Sequence, residues 1–135
     1  MALFGGKDKE PEVEIFTAEP NERVFEFKKS KTIVRIDDYF IRIARKSNMS
    51  NMLLHGLDGE KSILLSAITA YQLKEPGATV GYLQLVYPGS ADTKGGVFDA
   101  VKDENTVTFV KEDKQAILEL KIAIETALKI RFRNK

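Results

Sequence analysis

The chain has 135 residues, of which 43% are apolar and 30% are charged, and this balance predicts one globular domain with one core. Its 21 Lys and Arg residues and 20 Asp and Glu residues give a net charge of +1, so no overall field attracts nucleic acid. The chain has no Cys, which excludes disulfides, thiol nucleophiles and Cys-bound metal centres. Because His55 is its single histidine, Ser/His catalysis would have to use that residue and is almost excluded.

Residues 1–22 hold two basic and six acidic residues without any apolar period, and we expect them to form a flexible acidic arm. They lack the basic start and the long apolar run of a secretory signal. No stretch of 18 apolar residues occurs in the chain. We therefore expect a cytoplasmic protein without a transmembrane segment.

Strand patterns fill the middle of the chain. Two β-rich runs, residues 32–36 and 39–45, flank Asp37-Asp38, and this predicts a hairpin with the two aspartates as its turn. Further strands are predicted over residues 61–65, 68–73, 82–87 and 105–110.

From Lys111 onward the apolar period becomes 3.6 residues, which predicts a helix. Its first turn is acidic and its end is basic, and both suit the helix dipole. One face is apolar, formed by Ile117, Leu120, Ile124, Ala127 and Leu128. Short strands followed by one amphipathic helix predict an α+β fold.

Three runs resemble a bacterial family of PH-like domains of unknown role: residues 59–74, 81–85 and 95–107, which begins Gly-Gly-Val-Phe-Asp-Ala. Members of that family are often small proteins of Gram-positive bacteria and their phages. Many begin with a Leu-Phe-Gly-Lys-like stub, as this chain does, and end in a short oligomerising domain, which this chain does not show.

The resemblance implies a PH-like barrel over residues 23–130, with a basic tail at 131–135. The barrel would have two roughly orthogonal antiparallel sheets of about seven strands, capped by the C-terminal helix. It implies no catalytic residue and no cofactor.

A first candidate interaction face lies on the predicted hairpin. If Asp37-Asp38 is the turn, one face is the core face, with Val34, Ile36, Ile41 and Ile43. The opposite face combines Ile33 and Phe40 with Arg35 and Arg42, a composition that is typical of interfaces. The alternative is that this face is covered, either by the arm, through Ile15-Phe16 or through Phe25 and Phe27, or by the opposite sheet.

A second candidate face lies on the helix, where Leu118 and Ile122 fall outside the apolar stripe. Two exposed aliphatic residues one turn apart would form a seam with another subunit. The alternative is that they are ordinary surface residues or are covered by the arm.

A basic cluster in the first hairpin region would suit an anionic lipid or a phosphate. Its members are Lys28, Lys29, Arg42, Arg45 and Lys46. The alternative is a solvated surface, because a PH-like fold does not by itself imply lipid binding.

No residue pattern supports a metal site or catalysis. His55 with Asp58 provides too few ligands, and Asp99, Asp103 and Glu104 do not fit a calcium-binding loop. We therefore expect a non-enzymatic binding or assembly module that binds a protein partner or a second copy of itself. Weak binding of anionic lipid or phosphate is the alternative function.

Overall fold

The computed structural model describes residues 13–46, 57–90 and 105–133. Within these ranges the chain forms seven strands, two short 3₁₀ turns and one α-helix. The strands are β1 (Arg23–Phe27), β2 (Thr32–Ile36), β3 (Phe40–Lys46), β4 (Leu57–Leu64), β5 (Ala70–Lys74), β6 (Gly81–Val86) and β7 (Thr106–Phe109). The helix, α1, is Lys114–Arg133, and the 3₁₀ turns are Leu65–Ala67 and Lys111–Asp113.

Strands β1 to β4 form a first antiparallel sheet in sequence order, and β5 to β7 form a second one. Together with α1 they confirm the predicted α+β class. The two sheets are not closed into a barrel, because in the described residues no ladder of backbone hydrogen bonds joins them. The 3₁₀ turn Leu65–Ala67 ends the first sheet, and the chain then starts the second sheet at Ala70.

The main core lies between the two sheets and α1. Period-two alternation along β2 and β3 places Val34, Ile36, Ile41 and Ile43 on one face, as predicted, and all four are buried. The second sheet adds a matching apolar face. It consists of Leu83, Leu85, Val107 and Phe109. Phe25 and Phe27 of β1, which the strand pattern did not single out, also belong to this core and do not cover the opposite face.

The tip of the β2–β3 hairpin is Asp38-Tyr39, not the predicted Asp37-Asp38. Ile36 pairs with Ile41, and the Asp37 N–H donates to the Phe40 carbonyl over 3.0 Å. The Asp37 carboxylate accepts the N–H groups of Tyr39 and Phe40, each at 2.8 Å, and this fixes the turn one residue later. The resulting change of register is two residues, so every side chain keeps its predicted face.

Helix α1 confirms the predicted stripe. Ile117, Leu120 and Ile124 are buried, and Ala127 and Leu128 pack against the core. The helix continues to Arg133 and so includes the first three residues of the predicted tail, 131–135. In the described part of the chain, no helix combines the length and apolarity that crossing a membrane requires.

Candidate interaction surfaces

A buried ion cluster lies on the outer face of the first sheet, opposite the main core. The Arg35 side chain is 2% exposed, and its Nε and Nη2 atoms donate to the two carboxylate oxygens of Glu60 on β4 over 3.0–3.1 Å. Its Nη1 atom donates to the Thr17 carbonyl at 2.7 Å and to Glu22 at 3.0 Å. Burial alone would lower the pKa of Arg35, but the hydrogen bonds and charges of Glu60 and Glu22 outweigh it and raise that pKa.

This cluster attaches residues 13–22, hereafter the strap, to the first candidate face. The strap belongs to the predicted acidic arm, whose residues 1–12 lie outside the described part of the chain. Ile33 is buried on the same face as Arg35, whereas Phe40 and Arg42 remain partly exposed. Half of the predicted face is therefore closed, and half is accessible.

The accessible half is organised around Asp37. Arg42 forms an ion pair with Asp37 at 2.8 Å, and its guanidinium lies 4.7 Å from the centre of the Phe40 ring. Burial favours the protonated form of Asp37, but the N–H groups of Phe40 and Tyr39 and the charge of Arg42 outweigh it. They lower the pKa of Asp37 below its ordinary value.

The five residues of the predicted anion site do not form one open site. Lys28 and Lys29 are exposed in the β1–β2 turn, but Arg42 is bound to Asp37 at the other hairpin. Arg45 donates to the Thr106 carbonyl at 3.0 Å and so links the two sheets. Lys46 is buried. Three of these five basic side chains are thus bound to other groups of the protein or buried.

The second candidate face is open. Leu118 and Ile122 are 45% and 50% exposed, and Ile130, which the apolar pattern did not single out, is 52% exposed. With Thr126 they occupy successive i+4 positions and form a continuous line along α1, hereafter the α1 ridge (Leu118, Ile122, Thr126 and Ile130). The ridge is about 18 Å long at 1.5 Å per residue.

Charged side chains lie beside both ends of the ridge. Glu119 stands near its start, where it accepts a hydrogen bond from Gln115 at 3.1 Å and pairs with Arg23 at 3.5 Å. Lys129 and Arg133 stand near its end and are exposed. The N-terminal end of the ridge is therefore bordered by an acid and the C-terminal end by bases.

A groove of about 390 Å³ runs between α1 and the end of the first sheet. The helix wall is mostly apolar and includes the ridge residues Ile122 and Ile130, and Arg23, Asp37 and Asp38 border the opposite wall. Asp37, on this wall, also binds Arg42.

Several residues considered for metal binding or catalysis are not in the described part of the chain. His55, Asp99, Asp103 and Glu104 lie outside the described residues, and for Asp58 only the backbone is described. In the ranges 13–46, 57–90 and 105–133, no group of three His, Asp or Glu side chains is arranged to hold a metal ion.

Sequence reasoning missed two kinds of residue. Ile130 was detectable, because it continues the i+4 spacing of Leu118 and Ile122. Glu22 and Glu60 were not, because they lie 13 and 25 residues from Arg35 and no local pattern marks such pairs.

One family model matches the chain. It is DUF4429, a domain of unknown function, and it covers residues 34–125, which is 92 of the 135 residues. The match begins inside β2 and ends inside α1, so it includes Leu118 and Ile122 and leaves out the strap and Ile130. Searches of curated proteins and of solved structures gave no match.

Proposed function

This chain belongs to the DUF4429 family, and we propose that it is a non-enzymatic assembly module in which helix α1 of one copy packs against helix α1 of a second copy. The observation that carries the proposal is the α1 ridge, whose Leu118, Ile122 and Ile130 side chains are about half exposed along one line. Exposed apolar residues that are contiguous mark interaction surfaces more often than single ones do.

The distribution of charge favours a second copy as the occupant. When two ridges pack antiparallel, Leu118 of one copy lies at the level of Ile130 of the other, and Ile122 lies at the level of Thr126. The same alignment brings Glu119 of one copy to the level of Lys129 of the other. Such an arrangement is isologous, so each contact occurs twice, and opposite charges meet at both ends.

The helix surface also has the shape that this packing needs. Residues four apart form the ridges that interdigitate in the commonest class of helix pairs, which cross at about −50°. Thr126, near the middle of the ridge, is small enough to receive the Ile122 side chain of the other copy. Weak binding is expected, because one helix face buries little area compared with standard interfaces.

The finer features of the proposal follow the resemblance to PH-like domains. Four strands, three strands and a C-terminal helix, in that chain order, support a PH-like arrangement although the sheets do not close. We propose a bacterial or phage protein that acts in the cytosol.

The test is the solution mass of the full chain, measured by light scattering and sedimentation at low and high salt. We expect a dimer at both salts and at least a tenfold weaker dimer for Ile122→Glu, because this change places a charge in the middle of the apolar seam. Leu73→Glu is the matched control: Leu73 is 39% exposed on β5, so the same change there should leave the dimer intact.

Three outcomes would contradict the proposal. The first is a wild-type monomer at about 1 mM, and the second is an equal effect of Ile122→Glu and Leu73→Glu. The third is a dimer that Phe40→Asp dissociates and Ile122→Glu does not, which would assign assembly to the first candidate face. Binding of the monomer to anionic liposomes at low salt would favour the alternative function in lipid or phosphate binding.

A further inference from the structure

The outer face of the first sheet holds a second buried apolar patch, separate from the main core. Ile33 on β2 and Ala44 on β3 pair with each other across the ladder, and both are buried, but neither belongs to the main core. The strap is attached to this same face through Arg35. An outward face of an antiparallel sheet is commonly solvated, so the burial of Ile33 and Ala44 shows that this face is covered.

The guanidinium of Arg35 binds both the sheet and the strap. The Nε and Nη2 edge is held by both oxygens of Glu60, which belongs to the same sheet, and this fixes the orientation of the group. The Nη1 atom donates to the Thr17 carbonyl and to the Glu22 carboxylate, and both acceptors belong to the strap. Glu60 is thus a positioning residue, and Arg35 recognises a backbone carbonyl followed five residues later by a carboxylate.

The strap itself is lightly held. Val13 and Ile15 are exposed, although they are its largest aliphatic residues. It joins β1 through a turn in which Asn21 has a left-handed backbone, with φ of 62°, and the Glu22 N–H donates to the Glu19 carbonyl over 3.4 Å. A short turn that holds a segment against its own domain is also the place where such a segment is exchanged between copies.

We propose that the outer face of the first sheet is a peptide-binding surface, occupied here by the strap of its own chain, and that the strap of a second copy replaces it in trans. The ligand is an extended segment that presents a backbone carbonyl and an acidic side chain to Arg35. This surface is distinct from the α1 ridge, and its use does not depend on α1 pairing.

The first experiment measures binding of a fluorescent peptide with the sequence of residues 13–22 to the full chain. In the wild type the tethered strap competes at an effective concentration in the millimolar range. Glu22→Ala removes the carboxylate of the tethered strap but leaves Arg35 and Glu60, so we expect this chain to bind the peptide at least tenfold more tightly than the wild type. Glu19→Ala is the matched control, because it removes a charge three residues away that does not contact Arg35.

A second peptide, with Ala in place of Glu22, should not show this tenfold difference in affinity between the Glu22→Ala chain and the wild type. Equal binding of both peptides, or equal binding to the Glu22→Ala and Glu19→Ala chains, would overturn the proposal. If Glu22→Ala lowers the unfolding temperature below that of the assay, Glu22→Gln, which keeps the shape and one acceptor oxygen, replaces it with the same expected order.

The second experiment tests exchange between copies. Full chains that carry Ile122→Glu, which blocks the α1 seam, are mixed as two populations, one with Glu22→Ala and one with Arg35→Lys. Neither copy can form the Arg35–Glu22 ion pair within its own chain, but the mixture can form it between copies in one direction, so we expect a mixed dimer by native mass spectrometry. Peptide binding without a mixed dimer would refute exchange, and neither result depends on the outcome for α1 pairing.

Discussion

The phenolic hydroxyl of Tyr71 donates a hydrogen bond to the carboxylate of Glu125, and this contact joins β5, at the edge of the second sheet, to helix α1. Lys114 at the start of the same helix pairs with Glu75, just beyond β5, at 2.7 Å. The two contacts lie at opposite ends of β5. They show that the strand runs alongside the helix in the opposite direction.

Tyr71→Phe should lower the free energy of unfolding by about 1 kcal/mol, the usual contribution of one hydrogen bond that is not fully buried. The aromatic ring that packs against the core is retained, so the fold should be unchanged. Urea denaturation followed by circular dichroism measures the difference. Tyr39→Phe, at the exposed hairpin tip, is the control and should change the value by less than about 0.5 kcal/mol.

The same contact predicts an alkaline limit to stability. The pKa of Tyr71 is raised from 10.0 to about 12 by burial, by the hydrogen bond to Glu125 and by the negative charge of the Glu125 carboxylate. A pKa raised by folding contributes stability that is complete below the unfolded value and is lost as the pH rises through the folded value. The free energy of unfolding should therefore fall between about pH 10 and 12 in the wild type, and less steeply in Tyr71→Phe. Parallel curves for the two chains would contradict this assignment.

Arg35→Met should destabilise the chain by about 3–5 kcal/mol, because it leaves the carboxylates of Glu22 and Glu60 buried without their cation. Arg23→Met is the matched control. The Arg23 side chain is half exposed and lies 3.5 Å from Glu119, so its removal should cost no more than about 0.5 kcal/mol. Thermal and urea unfolding of the two variants should differ clearly, and similar midpoints would show that the buried cluster adds little.

Asp37→Ala should cost about 1–2 kcal/mol, because the turn loses two backbone hydrogen bonds and the ion pair to Arg42. Asp38→Ala, at the exposed tip, should cost much less. Since folding lowers the pKa of Asp37 below 3.8, its contribution is present above pH 3.8 and is lost as the pH falls through the lower folded value. As the pH falls below 3.8, the free energy of unfolding should therefore decrease less steeply in Asp37→Ala than in Asp38→Ala.

Gly81→Ala should destabilise the β5–β6 connection by about 2–3 kcal/mol. A Cβ at Gly81 would lie 2.3 Å from the Lys74 carbonyl oxygen and 2.7 Å from the Pro76 nitrogen, and both are backbone atoms that cannot turn away. Gly77→Ala is the control, since a Cβ there meets no atom within 4 Å. Equal melting temperatures for the two variants would show that the backbone moves to make room.

The sequence predicts the elements whose periodicity is strong. The β-rich run Thr32–Ile36 matches β2 residue for residue, and the 3.6-residue period identifies the buried face of α1. The sequence pattern misplaces the tip of the first hairpin by one residue, because the Asp37 carboxylate accepts the N–H groups of Tyr39 and Phe40. A pattern of apolar and polar residues does not show such a contact.

The candidate surfaces were less predictable than the elements. Leu118 and Ile122 could be selected because a helical wheel shows which residues leave the buried stripe. The closure of the face around Ile33 could not be predicted, because it depends on Arg35 binding two acids that are remote in sequence. The basic cluster does not become a basic surface because Arg42 pairs with Asp37, Arg45 binds the Thr106 carbonyl and Lys46 is buried.

The position of α1 in the chain order has a consequence for biosynthesis. All seven strands of the described residues precede the helix, yet Ile117, Leu120 and Ile124 complete the core that both sheets share. Until the ribosome has released α1, the inner faces of both sheets have no cover from it. The nascent chain should therefore reach its native state only after the helix emerges, and before then its exposed inner faces are suited to holding by chaperones.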